Sequence, residues 1–143
     1  MLGRDRRIPF YARAVLNTLS LSGDDGLALR NLSNADWKNL LDFCDRTQLT
    51  LLFSQHLREC PPDWVKRRLE RSLAQNAFRW NRVKSAFEEC AAAFSFEAIP
   101  FVLLKGFSHC PDFLEDPRLR TQYDLDLLFL PQDVMKAYAV ALS

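Results

Sequence analysis

Two carboxylates two residues apart, Asp124 and Asp126, stand in the run Tyr-Asp-Leu-Asp-Leu-Leu-Phe-Leu at residues 123–130. A second apolar run, Phe101, Val102, Leu103 and Leu104, ends on Lys105-Gly106. Continuous apolar runs of this length, bounded by Gly, Pro and Asp, read as buried strands. Alternate residues of a strand face the same way, so a strand carrying Asp124 and Asp126 projects the two carboxylates side by side. Adjacent carboxylates repel, and a hard divalent cation relieves the conflict. Mg²⁺ is the natural choice, because it binds through one or two carboxylates together with substrate phosphates. Lys105 supplies a point charge suited to phosphate, and Gly106 permits close backbone approach to a ligand. These parts suit phosphoryl or nucleotidyl transfer, with Asp124 and Asp126 as catalytic residues and metal ligands.

The ordered set Leu103-Leu104-Lys105-Gly106, Asp116-Pro117, Arg120 and residues 124–128 resembles the core signature of a known family. It is the uncharacterised nucleotidyltransferase family of the DNA polymerase beta-like superfamily. The resemblance implies a helical N-terminal region, a strand ending in Leu-Lys-Gly, then an Arg, then an Asp-x-Asp strand. It also implies a nucleoside triphosphate as one substrate and a hydroxyl of a small molecule or protein as acceptor. Lys105, Gly106 and Ser108 would then contact phosphates. Arg120 would order its loop or neutralise phosphate charge through bidentate hydrogen bonds. An ion pair of Arg120 with Asp116 or Glu115, and a snorkelling strand-end role for Lys105, are the structural alternatives.

Two departures from the family pattern stand out. Most superfamily members carry Gly-Ser or Gly-Gly after the first strand, where this chain has Lys105-Gly106-Phe107-Ser108. Ser108 is thus displaced by one residue, and Lys105 is the substitute charge. The family also implies a third carboxylate on a later strand. Asp133 is the only acid after Asp126, and it falls at a helix start, so it is not assigned that role. The expectation is an incomplete catalytic domain: a helical region over residues 1–98 and the beginning of the catalytic domain over residues 99–143. The fold class is α+β. The alternative function is a non-catalytic helical module that binds a partner and keeps a vestigial nucleotide site. A purely helical scaffold ranks last, because it ignores the ordered motif.

A chain of 143 residues fits one ordinary domain. Its net charge of +1 gives no bulk attraction to nucleic acid or membrane, so neither is expected as a partner. Cys44, Cys60, Cys90 and Cys110 are scattered, with His56 and His109 the only histidines, so the spacing does not suit zinc. Cys44 and Cys90 fall on apolar helix faces and read as buried free thiols of a reducing cytoplasm. Asn17, Thr18 and Ser20 interrupt the weak apolar run near the start, which argues against a signal peptide.

The elements that must position these residues follow from periodicity. Helices are predicted over residues 9–21, from a Ser33 or Asn34 cap to 47, and over 50–59. Residues 22–31, with Asp24-Asp25, read as a solvated loop rather than a metal site. His56 reads as a favourable charge near a helix C-terminus. Residues 63–96 form one long amphipathic helix with Val65, Leu69, Leu73, Trp80, Phe87 and Phe94 on its apolar stripe. Its many Lys and Arg residues make either a salt-bridged, solvated face or a wall lending cations to a nucleotide or acceptor groove. A short irregular helix over residues 107–114, a loop over 116–122 and a strand over 125–130 follow. The last helix starts at Pro131, with Val134, Tyr138 and Leu142 on its apolar side. Length alone leaves the pairing direction of the two strands open.

Overall fold

The computed structural model describes residues 8–20, 27–58, 60–106 and 116–142. The fold is α+β, with helices followed by a two-stranded antiparallel sheet. The chain divides into two compact units, Met1–Leu73 and Ala74–Ser143, each described in turn.

In the first unit, α1 (Phe10–Leu19), α2 (Leu27–Arg30), α3 (Asn34–Thr47), α4 (Thr50–His56) and the start of α5 (Asp63–Phe96) surround an apolar core. Val15, Leu40, Leu41, Cys44, Phe53 and Val65 are fully buried there. Helix α3 begins on a reciprocal cap. The Asp36 backbone N–H donates to Ser33 Oγ at 3.2 Å, while the Ser33 N–H donates to Asp36 Oδ2 at 3.0 Å. Two of the orphan donors of the first turn are satisfied this way. The Ser33 hydroxyl and backbone N–H also hold the Asp36 carboxyl below its ordinary pKa. Arg68 bridges Asp42 at 2.9 Å and Asp45 at 2.6 Å, tying α5 to α3. Burial, with Asp45 nearby, pushes the Cys44 thiol up to about 12, so it stays neutral and inert. His56 Nδ1 lies 2.9 Å from the Leu52 carbonyl, a local helix contact that fits its structural reading.

In the second unit, the end of α5 packs on the inner face of the sheet. Strand β1 (Phe101–Leu104) pairs with β2 (Asp126–Phe129) in the register Phe101↔Phe129, Val102↔Leu128, Leu103↔Leu127 and Leu104↔Asp126. The alternation puts Phe101, Leu103, Leu127 and Phe129 on one face and Val102, Leu104, Leu128 and Asp126 on the other. Phe94 sits edge-on to Phe129 at 5.2 Å and to Phe101 at 5.5 Å, and Phe87 meets Phe101 at 6.4 Å. Edge-on aromatic geometry is favoured by the ring quadrupoles, so this cluster ties helix to sheet. Helix α6 (Val134–Ala141) adds Ala137 and Val140 to the cluster. Lys136 Nζ fixes α6 from outside, at 2.7 Å from the Glu97 carbonyl and 3.2 Å from its carboxylate.

Helix α5 matches its predicted span, and α3 starts and ends as its cap and stripe predict. Four expectations are corrected. Residues 27–30, expected as part of the 22–31 loop, are helical. Helix α4 ends at His56, short of residue 59. Leu73 lies on the predicted stripe but is 38% exposed and stands outside the buried core. Helix α6 turns Ala137 inward, while Val134, Tyr138 and Leu142 are exposed. Periodicity shows which residues share a face; the small Ala137 allows the closer approach that decides which face packs. The irregular helix expected over residues 107–114 and the Asp24-Asp25 turn lie outside the described residues.

Truncating fully buried Leu41 should therefore be costly and truncating Leu73 cheap. Leu41→Ala is expected to lower unfolding free energy by about 2–5 kcal/mol. Leu73→Ala should cost less, about 1 kcal/mol, because more than a third of that residue already stands in water. Urea denaturation of both variants checks the pair, and equal losses would contradict the packing described.

Candidate active site

The site is built where β1 ends and β2 begins. Lys105 and Gly106 follow β1 with φ of 55° and 54°, both in the left-handed region. Such a conformation is routine for Gly and uncommon for Lys, and it ends the strand abruptly. Leu104 pairs with Asp126, so the ladder stops there and Asp124 lies before β2 rather than in it. The expectation of one strand carrying both carboxylates is corrected: β2 carries Asp126 alone. The two carboxylates differ in setting, Asp124 being exposed and Asp126 half-buried.

Lys105 Nζ lies 3.3 Å from Asp126 Oδ2. With both side chains substantially exposed, the pair adds little stability; its consequence is positional. It places a cation beside a carboxylate at the strand mouth. Gly106 has a second, steric role. A Cβ at this position would fall on the Gln122 side-chain amide. That amide donates from Nε2 to the Asp124 carbonyl at 3.2 Å. The glycine thus admits the group that holds the Asp124 backbone.

The segment leading to Asp124 is held from the other side by α5. Asn76 is buried at 3% exposure, and its Nδ2 donates to the Arg118 carbonyl and, at 3.4 Å, to the Arg120 carbonyl. Its Oδ1 accepts from Arg79 Nη1 at 3.0 Å. Arg79 in turn lies 4.4 Å from the centroid of the Tyr123 ring, a cation–π contact. The turn Pro117–Leu119 is capped by Asp116, which also takes a forked hydrogen bond from Arg118, Nε to Oδ1 at 2.9 Å and Nη2 to Oδ2 at 2.8 Å. The Arg118 guanidinium holds the Asp116 carboxyl below its ordinary range. Arg118 rather than Arg120 is therefore the partner of Asp116. Arg120 is half-buried directly after the turn.

Of the residues expected in the site, Lys105 and Asp126 are brought into contact, Gly106 reaches Asp124 through Gln122, and Arg120 is placed through its carbonyl on Asn76. Ser108 lies outside the described residues. Sequence reasoning gives no site role to Phe78, Gln122 and Tyr123; it places Asn76 only on the apolar stripe of the long helix, and Arg79 only among that helix's groove-lining or solvated cations. A polar residue interrupting an apolar stripe was the one signal available for Asn76. Among the described residues no group of three or more His, Cys, Asp or Glu side chains comes together. Asp124 and Asp126 nevertheless offer hard oxygen donors of the kind Mg²⁺ takes, and the chemistry of this donor set fits it.

A family model described as "Uncharacterised nucleotidyltransferase" matches residues 33–143. The chain belongs to the uncharacterised nucleotidyltransferase family. The match takes in the Leu-Lys-Gly turn, the Arg120 loop and the Asp-x-Asp segment together, along with α3, α4 and α5. Membership assigns the general activity, nucleotidyl transfer, and a nucleoside triphosphate as its substrate class. No curated protein and no solved structure matches the chain. No helix among the described residues is long and apolar enough to cross a membrane.

The Asn76 clamp carries a direct test. Removing a buried amide that serves two carbonyls and one guanidinium should cost about 1–3 kcal/mol. Asn76→Asp should cost at least as much, because a carboxylate keeps the shape but cannot donate to the carbonyls. Urea unfolding of Asn76→Ala and Asn76→Asp checks this, and a neutral Asn76→Asp would contradict the geometry.

Proposed function

We propose that the chain carries out Mg²⁺-dependent nucleotidyl transfer from a nucleoside triphosphate to a hydroxyl of a small molecule or protein. The observation that carries this reading is the Lys105–Asp126 pair at the mouth of β2, with Asp124 just before it, in a member of a nucleotidyltransferase family. Asp124 and Asp126 are the residues that would hold Mg²⁺. When bound, the ion would neutralise phosphate charge and orient the triphosphate for displacement of pyrophosphate. Lys105 is close enough to Asp126 to move from carboxylate to phosphate as substrate arrives. Gly106 and Ser108 are assigned to the phosphates and Arg120 to its loop or to phosphate charge. The functional division follows the same reading, with residues 1–98 as the helical region and 99–143 as catalytic-domain sequence. A cytoplasmic location is supported by Cys44, Cys60 and Cys90, which are free thiols.

Among the described residues, Asp124 and Asp126 are the two acids available for this chemistry. Two-metal transfer needs groups that hold both the attacking and the leaving oxygens. Asp124 and Asp126 serve the phosphate side, and nothing among the described residues joins them as a third ligand. Binding should consequently exceed turnover in this chain. That same observation favours the second reading, a helical partner-binding module with a vestigial nucleotide site.

Calorimetric titration with a nucleoside triphosphate panel and Mg²⁺, beside a pyrophosphate-release assay, decides between them. The expected result is weak, Mg²⁺-dependent binding that Asp124→Asn reduces, with slow or no release. Binding indifferent both to Mg²⁺ and to Asp124→Asn would support the non-catalytic module. Rapid turnover would overturn the view that two acids are insufficient.

A further inference from the structure

A groove of about 900 Å³ lies within the second unit between α5 and the segment that enters β2. Helix α5 presents Gln75, Phe78, Arg79, Arg82 and Val83 to it. Their spacing of three and four residues places them on one helical face. Tyr123, Asp124 and Leu125 form the facing wall. The groove therefore ends on a carboxylate assigned above to the metal.

Its lining combines features that a folded core does not need. Phe78 and Tyr123 are each 68% exposed, which is unusual for two large rings lining one groove. Tyr123 is already paired with the Arg79 guanidinium, and Arg79 is fixed by buried Asn76. These contacts prearrange part of the platform, so less ordering is left to the moment of binding. Arg82 is exposed on the same face and makes no ion pair among the described residues. Exposed rings call for a flat π-faced ligand, and two guanidiniums call for negative charge. A volume of this size falls within the range of small-molecule sites.

We propose that this groove seats the nucleobase and sugar of the triphosphate substrate. The base stacks on Phe78 and the Arg79–Tyr123 platform, and Arg82 adds positive charge beside the path to Asp124. The proposal rests on the nucleotide-binding reading above and goes beyond it, because it assigns base recognition to the helix rather than to the strand motif. Stacking tolerates any base, since each has a π face, so the groove supplies affinity more than base selectivity.

The probes are ATP and inorganic tripolyphosphate, each with Mg²⁺, titrated calorimetrically into the whole chain. Wild type is expected to bind ATP more tightly than tripolyphosphate. Phe78→Ala should weaken ATP by roughly tenfold, the scale of one base–aromatic stack, and leave tripolyphosphate unchanged. Phe78→Trp should restore ATP binding. Because Phe78 is exposed, a thermal melt of Phe78→Ala should match wild type. ATP binding that is lost in Asp124→Asn but unaffected by Phe78→Ala would overturn the groove assignment and leave the nucleotide reading standing. An equal loss of ATP and tripolyphosphate in Phe78→Ala would also overturn it, since no base contact would then be involved. Failure of wild type to bind either probe would overturn both.

Discussion

One buried amide organises the second unit. Asn76 sits on a helix face otherwise given to packing, and a primary amide there must find partners or destabilise the fold. It finds the Arg118 and Arg120 carbonyls on one side and the Arg79 guanidinium on the other. The observed placement of the 117–120 turn satisfies these groups together. That placement sets where Tyr123 meets Arg79 and from which direction the chain enters β2. The aromatic cluster of Phe87, Phe94, Phe101 and Phe129 supplies apolar burial without directional demand. The amide supplies the direction.

The strand pair is held to a matching standard at its other end. Left-handed Lys105 and Gly106 stop β1, and the ladder can extend no further than Asp126. Gly106 leaves room for Gln122, and Gln122 takes the Asp124 carbonyl. The two acids therefore answer to different constraints. Asp126 is fixed by strand pairing and faces Lys105. Asp124 is fixed by a side-chain hydrogen bond to its backbone, and its carboxylate stays exposed at the groove. That asymmetry suits a site in which one acid anchors and the other meets the ligand.

Much of this was legible in the residues. The Ser33–Asp36 cap and the unbroken period of α5 identify their helices because both depend on local spacing. The two strands and the Leu-Lys-Gly turn are visible as apolar runs with punctuation. The start of β2 was not legible, because Asp124-Leu125-Asp126 alternates like a strand, while the ladder is ended by the left-handed Lys105 and Gly106 just past β1. Leu73 and Tyr138 mislead for a related reason: a face can be apolar without being the face that packs. Asn76 was the hardest to read. Its partners are carbonyls 42 and 44 residues away, and backbone acceptors leave no mark on side-chain sequence. The Phe78 and Tyr123 rings share a groove only because that clamp brings their segments together.

The central claim is that Asp124 and Asp126 hold a divalent cation together with nucleotide. Paramagnetic Mn²⁺, substituted for Mg²⁺ in the presence of ATP, tests it residue by residue through line broadening in backbone amide spectra. The account predicts that the amides of Asp124 and Asp126 broaden first, with Lys105 and Gly106 close behind. Broadening centred instead on Asp42 and Asp45, or spread evenly over the exposed acids, would contradict it.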